Sequence, residues 1–110
     1  MRYLLVLLIF LGGCGASASF DPQKWRDADL GTRERANMVG SLLKARRLNG
    51  IDRAAVIDLL GEPTSTDKWD GSEMIYVLGP DGGLFPIDHE WLLIDLDQQG
   101  RVSGYRVVSD

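Results

Sequence analysis

Apolar and polar positions alternate with two different periods along this chain. Between Thr32 and Leu48, Met38, Leu42 and Ala45 fall on one stripe with Val39 and Leu43 beside it, which predicts an amphipathic helix. Thr32 is placed to cap its start. Lys44, Arg46 and Arg47 lie toward its end, where cations favour the helix dipole, so this basic cluster needs no ligand to explain it. Asn49-Gly50 ends the helix. Asp52 then caps a second helix over Arg53 to Leu60, with Ile51 and Val56 spaced as a hydrophobic staple. Val56, Leu59 and Leu60 form its buried face, and Gly61 followed by Pro63 stops it.

After Pro63 the period becomes two. Glu73 to Leu78, His89 to Leu96 and Arg101 to Val108 read as strands. A long loop from Gly79 to Asp88 joins the first two, and Asp67, Trp69 and Asp70 sit in turn chemistry before the first. Asp97 and Gly100 suit a type I turn with a left-handed glycine, a three-residue hairpin loop. That turn predicts Leu96 opposite Val102, Leu93 opposite Tyr105, Trp91 opposite Val107, and a charge pair between Asp97 and Arg101. One sheet face then holds Leu92, Ile94, Leu96 and Val102, with Gly104 leaving room for a helix. The other holds Trp91, Leu93, Tyr105 and Val107. The predicted architecture is α+β, two N-terminal helices packed on one face of a three-stranded antiparallel sheet (ααβββ). The opposite face would carry an aromatic and aliphatic patch where such a face is ordinarily polar. Either the Phe20–Trp25 segment or Leu84-Phe85-Pro86-Ile87 covers that patch, or a partner does.

Composition changes the picture at the N-terminus. Arg2, an apolar run from Tyr3 to Leu11, then Gly12, Gly13 and Cys14 follow the order of a bacterial lipoprotein signal. The run would reach about 14 Å as a helix, short of the roughly 20 residues that a membrane span needs. On this reading residues 1–13 are removed, Cys14 carries the lipid, residues 14–31 form anchor, tether and docking segment, and residues 32–110 form the domain. Gly15 after the cysteine resembles the lipoproteins passed on to the outer membrane, on its periplasmic face. Stable anchoring needs more than one acyl chain, which a diacylglycerol thioether plus an N-acyl group supplies. Cys14 is the only cysteine, so no internal disulfide forms. A free thiol would be a liability in an oxidising compartment unless it were acylated.

The formal charge of −4 and pI near 4.9 argue against a nucleic-acid binder. The one histidine, His89, has no cluster with metal-ligand spacing around it. No cofactor beyond the covalent lipid, no metal, no catalytic residue and no small-molecule substrate are expected. The loop glycines lack a P-loop frame. The acidic residues around Trp69 carry only a weak hint of carbohydrate contact.

Leu48-Asn49-Gly50, Val56, Leu59-Leu60-Gly61-Glu62-Pro63, then a tyrosine-bearing strand and a hairpin resemble the BamE (SmpA/OmlA) family of small outer-membrane lipoproteins, over about residues 38–108. The β-lactamase inhibitor proteins share the ααβββ unit of that family. Asp52 stands for the usual serine or threonine cap, Met74 where tryptophan is common, and the Gln-Gly-Asn-type motif before the first helix is missing. The resemblance implies a non-enzymatic accessory of outer-membrane protein assembly or envelope integrity. Its partners would be envelope proteins, the β-barrel assembly machinery among them. Apart from the resemblance, the apolar sheet face and the 79–88 loop give the residues expected to meet a partner: Trp91, Leu93, Tyr105, Val107 and Phe85. The alternative is a periplasmic inhibitor or protector that blocks an enzyme through the 79–88 loop.

Overall fold

Three helices, not two, precede the sheet. The computed structural model describes residues 18–69, 71–84 and 87–110; the signal segment, Cys14, Asp70 and Phe85 lie outside the described residues. The helices are α1 (Pro22–Asp27), α2 (Glu34–Lys44) and α3 (Arg53–Leu60), and the strands are β1 (Met74–Pro80), β2 (His89–Leu96) and β3 (Val102–Ser109). The expected ααβββ order is therefore corrected to three helices followed by three strands. The extra helix is only six residues long, too short to show a stripe. Its stop-start chemistry is present all the same. Asp21 accepts from the backbone N–H of Gln23 and Lys24, and Pro22 stands at the first helical position.

The short helix exists to deliver Trp25. That side chain is 0% exposed and lies edge-on to Tyr76 of β1, with ring centroids 6.4 Å apart. Arg35 of α2 stacks on the indole at 4.8 Å and donates from Nε to the Trp25 carbonyl. Truncating a buried tryptophan of this kind to alanine costs about 3–5 kcal/mol. Phe20 packs on Trp25 and lies under the Arg47 guanidinium, which gives one member of the basic cluster a structural task. The Phe20–Trp25 segment thus docks on the helix side of the sheet and does not cover the opposite face.

Helix α2 runs shorter than the predicted Thr32–Leu48. Met38, Val39 and Leu42 are buried, while Ala45 is exposed beyond its end. The Thr32 hydroxyl accepts from the Glu34 N–H at 3.3 Å, although Arg33 occupies the cap position. Helix α3 has the predicted bounds; Asp52 accepts from Ala55 N–H at 2.9 Å and Gly61 closes it with φ of 81°. Leu48, Val56, Leu60, Met74, Tyr76, Leu78, Leu92 and Ile94 complete the main core.

The sheet is an antiparallel meander in the order β1-β2-β3. Its hairpin forms as predicted, with Gly100 N–H donating to the Asp97 carbonyl and φ of 80° at Gly100. Beyond Leu96 opposite Val102 the predicted register fails. A bulge intervenes, and Asp95 pairs with Gly104, Ile94 with Tyr105, Leu93 with Arg106, Leu92 with Val107 and Trp91 with Val108. Ser103 is the extra residue, its hydroxyl donating to the Asp95 carbonyl. One extra residue moves every following side chain to the other face. Tyr105 and Val107 accordingly join the helix side, and Arg106 and Val108 take the far side. The expected Asp97–Arg101 charge pair is also replaced. Asp97 accepts from the backbone N–H of Gln99 and Arg101, the Arg101 guanidinium reaches the Gly50 carbonyl, and Arg106 pairs with Asp95 at 3.3 Å.

Candidate functional site

The two outer edges of the sheet are treated differently. In β1, the backbone groups of Ile75 and Val77 point away from β2, and three of the four find a partner: the Ile75 carbonyl and both groups of Val77. Thr64 N–H donates to the Ile75 carbonyl at 2.7 Å, and Val77 N–H donates to the Thr64 hydroxyl at 3.0 Å. Arg35 donates to the Val77 carbonyl, and Arg33 to that of Pro80. Gly79 (φ 122°) sits against the Thr32 carbonyl, so closely that a Cβ there would collide with it. This edge is sealed by α2 and by the chain after Pro63, as native sheets commonly protect an edge.

The outer edge of β3 is sealed only at its start. Val102 N–H donates to the Ile51 carbonyl at 2.8 Å, and Arg101 bridges Asp52. Past the bulge, alternation sets the direction of each backbone group. His89 uses its carbonyl toward Asp110 on the β3 side, and Ile94 uses its carbonyl toward Glu73 on the β1 side. With Ile94 opposite Tyr105 and Leu92 opposite Val107, the N–H and C=O of Tyr105 and Val107 therefore face outward. Among the described residues they have no backbone or side-chain partner. Beside them lies an open groove of about 450 Å³, lined by Asn49, Gly50, Val102, Ser103, Gly104 and Tyr105. Tyr105 donates its hydroxyl to the Asn49 side-chain oxygen at 2.7 Å, which holds the groove wall upright. A Cβ added at Gly104 would meet nothing, so the strand has space beside it. Val107, further along the same edge, keeps 41% of its surface exposed.

The expected partner-binding residues are split by the bulge. Tyr105 and Val107 stand on the helix side at this edge. Trp91 and Leu93 are buried on the far side together with Ile75, under Trp69 with Val77 and Val108 alongside. The Trp69 ring meets Trp91 edge-on at 6.4 Å. Asp110 completes the cover, accepting from Trp91 Nε1 at 3.1 Å and from His89 N–H at 2.8 Å, with Lys68 Nζ at 3.5 Å. The His89 N–H above all, then the Trp91 and Lys68 contacts, hold the Asp110 carboxyl below its ordinary pKa. The far face is thus not the open patch that alternation along the strands predicts: Trp69 and Asp110 cover it, and the Phe20–Trp25 segment does not. Leu84 and Ile87 stand instead at 89% and 84% exposure. Trp69 faces into this cluster, not outward as a platform for a sugar ring. Asn49 was legible only as a helix stop, and Gly104 only as room for a helix; their place on the groove depends on the bulge.

The groove offers main-chain donors and acceptors, an amide and a phenol, a set that recognises an extended chain. Among the described residues no group of three His, Cys, Asp or Glu side chains is placed to hold a metal ion, and no helix is long and apolar enough to cross a membrane. No family model, curated protein or solved structure matches this chain.

Proposed function

We propose that this protein is a lipid-anchored envelope protein that holds an extended segment of another envelope protein against the outer edge of β3. It acts by binding, without catalysis, as an accessory of outer-membrane protein assembly or envelope integrity. The observation that carries this reading is the contrast between the two edges: three of the four outward groups of Ile75 and Val77 are closed by Thr64 or Arg35, whereas all four of Tyr105 and Val107 have no partner among the described residues and start beside a groove. An added strand would pair with both residues and lay alternate side chains along Tyr105 and Val107. The lipoprotein-type sequence around Cys14 supports the anchor, and the resemblance to the BamE family supports the envelope role.

The test uses the direction of one N–H. Val107→Pro removes an outward donor and leaves the β2 ladder intact, since proline is tolerated where a strand's N–H faces solvent. The variant should fold with a circular dichroism spectrum like that of the wild type and should lose partner capture in affinity purification from mildly crosslinked envelopes. Arg106→Pro, whose N–H belongs to the ladder with β2, should instead unfold or melt well below it. Full capture by a folded Val107→Pro protein would exclude strand addition at this edge.

A further inference from the structure

We infer that the segment received at the β3 edge is a chain terminus, which rests on the strand-addition reading proposed above. It runs antiparallel to β3 and sets its free C-terminal carboxylate against Asn49, Gly50 and Arg101. The start of this edge is already filled by the chain itself. Val102 N–H donates to the Ile51 carbonyl at 2.8 Å, and Arg53 N–H donates to the Gly100 carbonyl at 3.2 Å. Ile51 to Arg53 thus runs antiparallel to β3, in the line that an added strand would take. From Val102 to Tyr105 there is only about 10 Å of edge. Between them lie Ser103 and Gly104, so a segment paired with Tyr105 and Val107 meets Asn49-Gly50 within two residues of its Tyr105 partner. It ends there or turns out of the sheet.

The chemistry of this closed end suits a carboxylate. Gly50 N–H has no partner among the described residues. The Asn49 oxygen accepts from the Tyr105 hydroxyl, which leaves the amide nitrogen with donors to offer. The Arg101 guanidinium reaches the Gly50 carbonyl at 3.5 Å. It stands in no ion pair among the described residues, where Arg33, Lys68 and Arg106 make the pairs. The carboxylates nearest to it along the chain are engaged by backbone N–H groups, Asp52 by Ala55 and Asp97 by Gln99 and Arg101. Arg46 adds a second cation to the segment that forms this wall. It follows the Ala45 cap with φ of 58°, in the left-handed position that glycine ordinarily takes, and its carbonyl accepts from Asn49 N–H at 3.2 Å. Neutral and cationic donors at one place recognise a carboxylate, and the charged ones make its hydrogen bonds strong.

Charge also sets the direction of the incoming chain. In the antiparallel arrangement its C-terminal end points toward Val102, and its carboxylate comes to these donors. A parallel strand would bring an N-terminal ammonium to Arg101, like charge on like. An internal segment has no terminal charge to offer and must bend away from Asn49-Gly50.

The experiment uses the full chain, purified in mild detergent, and two displayed libraries of the same randomised octapeptides. One library presents free C-termini; in the other the C-terminus is fused to the carrier. Selection should enrich binders from the free-terminus library alone. A selected peptide remade with a C-terminal amide should bind about ten- to a hundredfold more weakly than its carboxylate form. Arg101→Gln should narrow that gap without lowering the melting temperature, and Val107→Pro should abolish binding of the carboxylate form. Binders of equal strength from both libraries, lost in Val107→Pro, overturn the terminal carboxylate and leave strand addition standing. Fused-library binders that depend on an internal aspartate or glutamate and weaken in Arg101→Gln do the same. Binders that withstand Val107→Pro overturn both. Enrichment from neither library overturns the terminal carboxylate, while envelope capture by the wild type and Val107→Pro judges strand addition by itself.

Discussion

Ser103 decides more than its chemistry announces. As an extra residue in β3 it turns Tyr105 and Val107 from the far face to the helix side and turns their backbone groups out to the edge. Alternation read from the hairpin inward gives the opposite faces, because a single inserted residue leaves no trace in hydropathy when its neighbours are Val102 and Gly104. Trp69 was equally hard to read: a lone aromatic in a turn-rich stretch shows no period, yet it supplies the cover for Trp91. Asp110 gives this cover a pH dependence whose sign is fixed. Its carboxyl is held below the ordinary range by the His89 N–H first and then by the Trp91 and Lys68 contacts. A lowered folded-state pKa contributes stability that is present above the unfolded carboxylate value, about 3.9, and is lost as pH falls through the folded value. The Trp91 Nε1–H resonance should therefore hold its position from neutral pH down to about 4 and move only below that. Asp110→Asn should abolish this low-pH step; a step near neutrality would contradict the assignment.

At the scale of elements, the parts with local signals were legible and the parts fixed by long-range contact were not. Helix α3 has the bounds its cap, staple and glycine stop predict, and the hairpin turns where Asp97 and Gly100 place it. Helix α1 escaped because six residues with one buried side chain carry no periodicity, although Asp21 and Pro22 mark its start. The sealed edge of β1 depends on Thr64, Arg33 and Arg35, residues far from the strand in sequence and unremarkable in it. The open edge of β3 makes a direct prediction. Backbone amide exchange in the free protein should alternate along β3, with Tyr105 and Val107 fast and Arg106 and Val108 slow, because only the latter pair into the β2 ladder. Uniform protection across Tyr105 to Val108 would mean that something already occupies this edge.

Over the whole molecule these features give it two ends of different character. One end carries the start of α2, the approach of the N-terminal segment and the exposed Leu84 and Ile87; the other carries the hairpin, Asn49 and the groove. Along β2, Tyr105 lies opposite Ile94 and Val107 opposite Leu92, about 17 and 10 Å from His89. The acidic balance of the chain suits the proposed reading, since a main-chain edge needs no basic surface. The central claim is that the β3 edge receives another protein. The most direct measurement is a photo-crosslinking residue placed at Val107, with a second at Ser65 beside the sealed β1 edge, each activated in native envelopes and followed by mass spectrometry of the adducts. The account predicts a defined protein adduct from Val107, mapped to an extended segment of the partner, and none from Ser65. Adducts confined to Ser65, or none from Val107 in a folded and anchored protein, would contradict it.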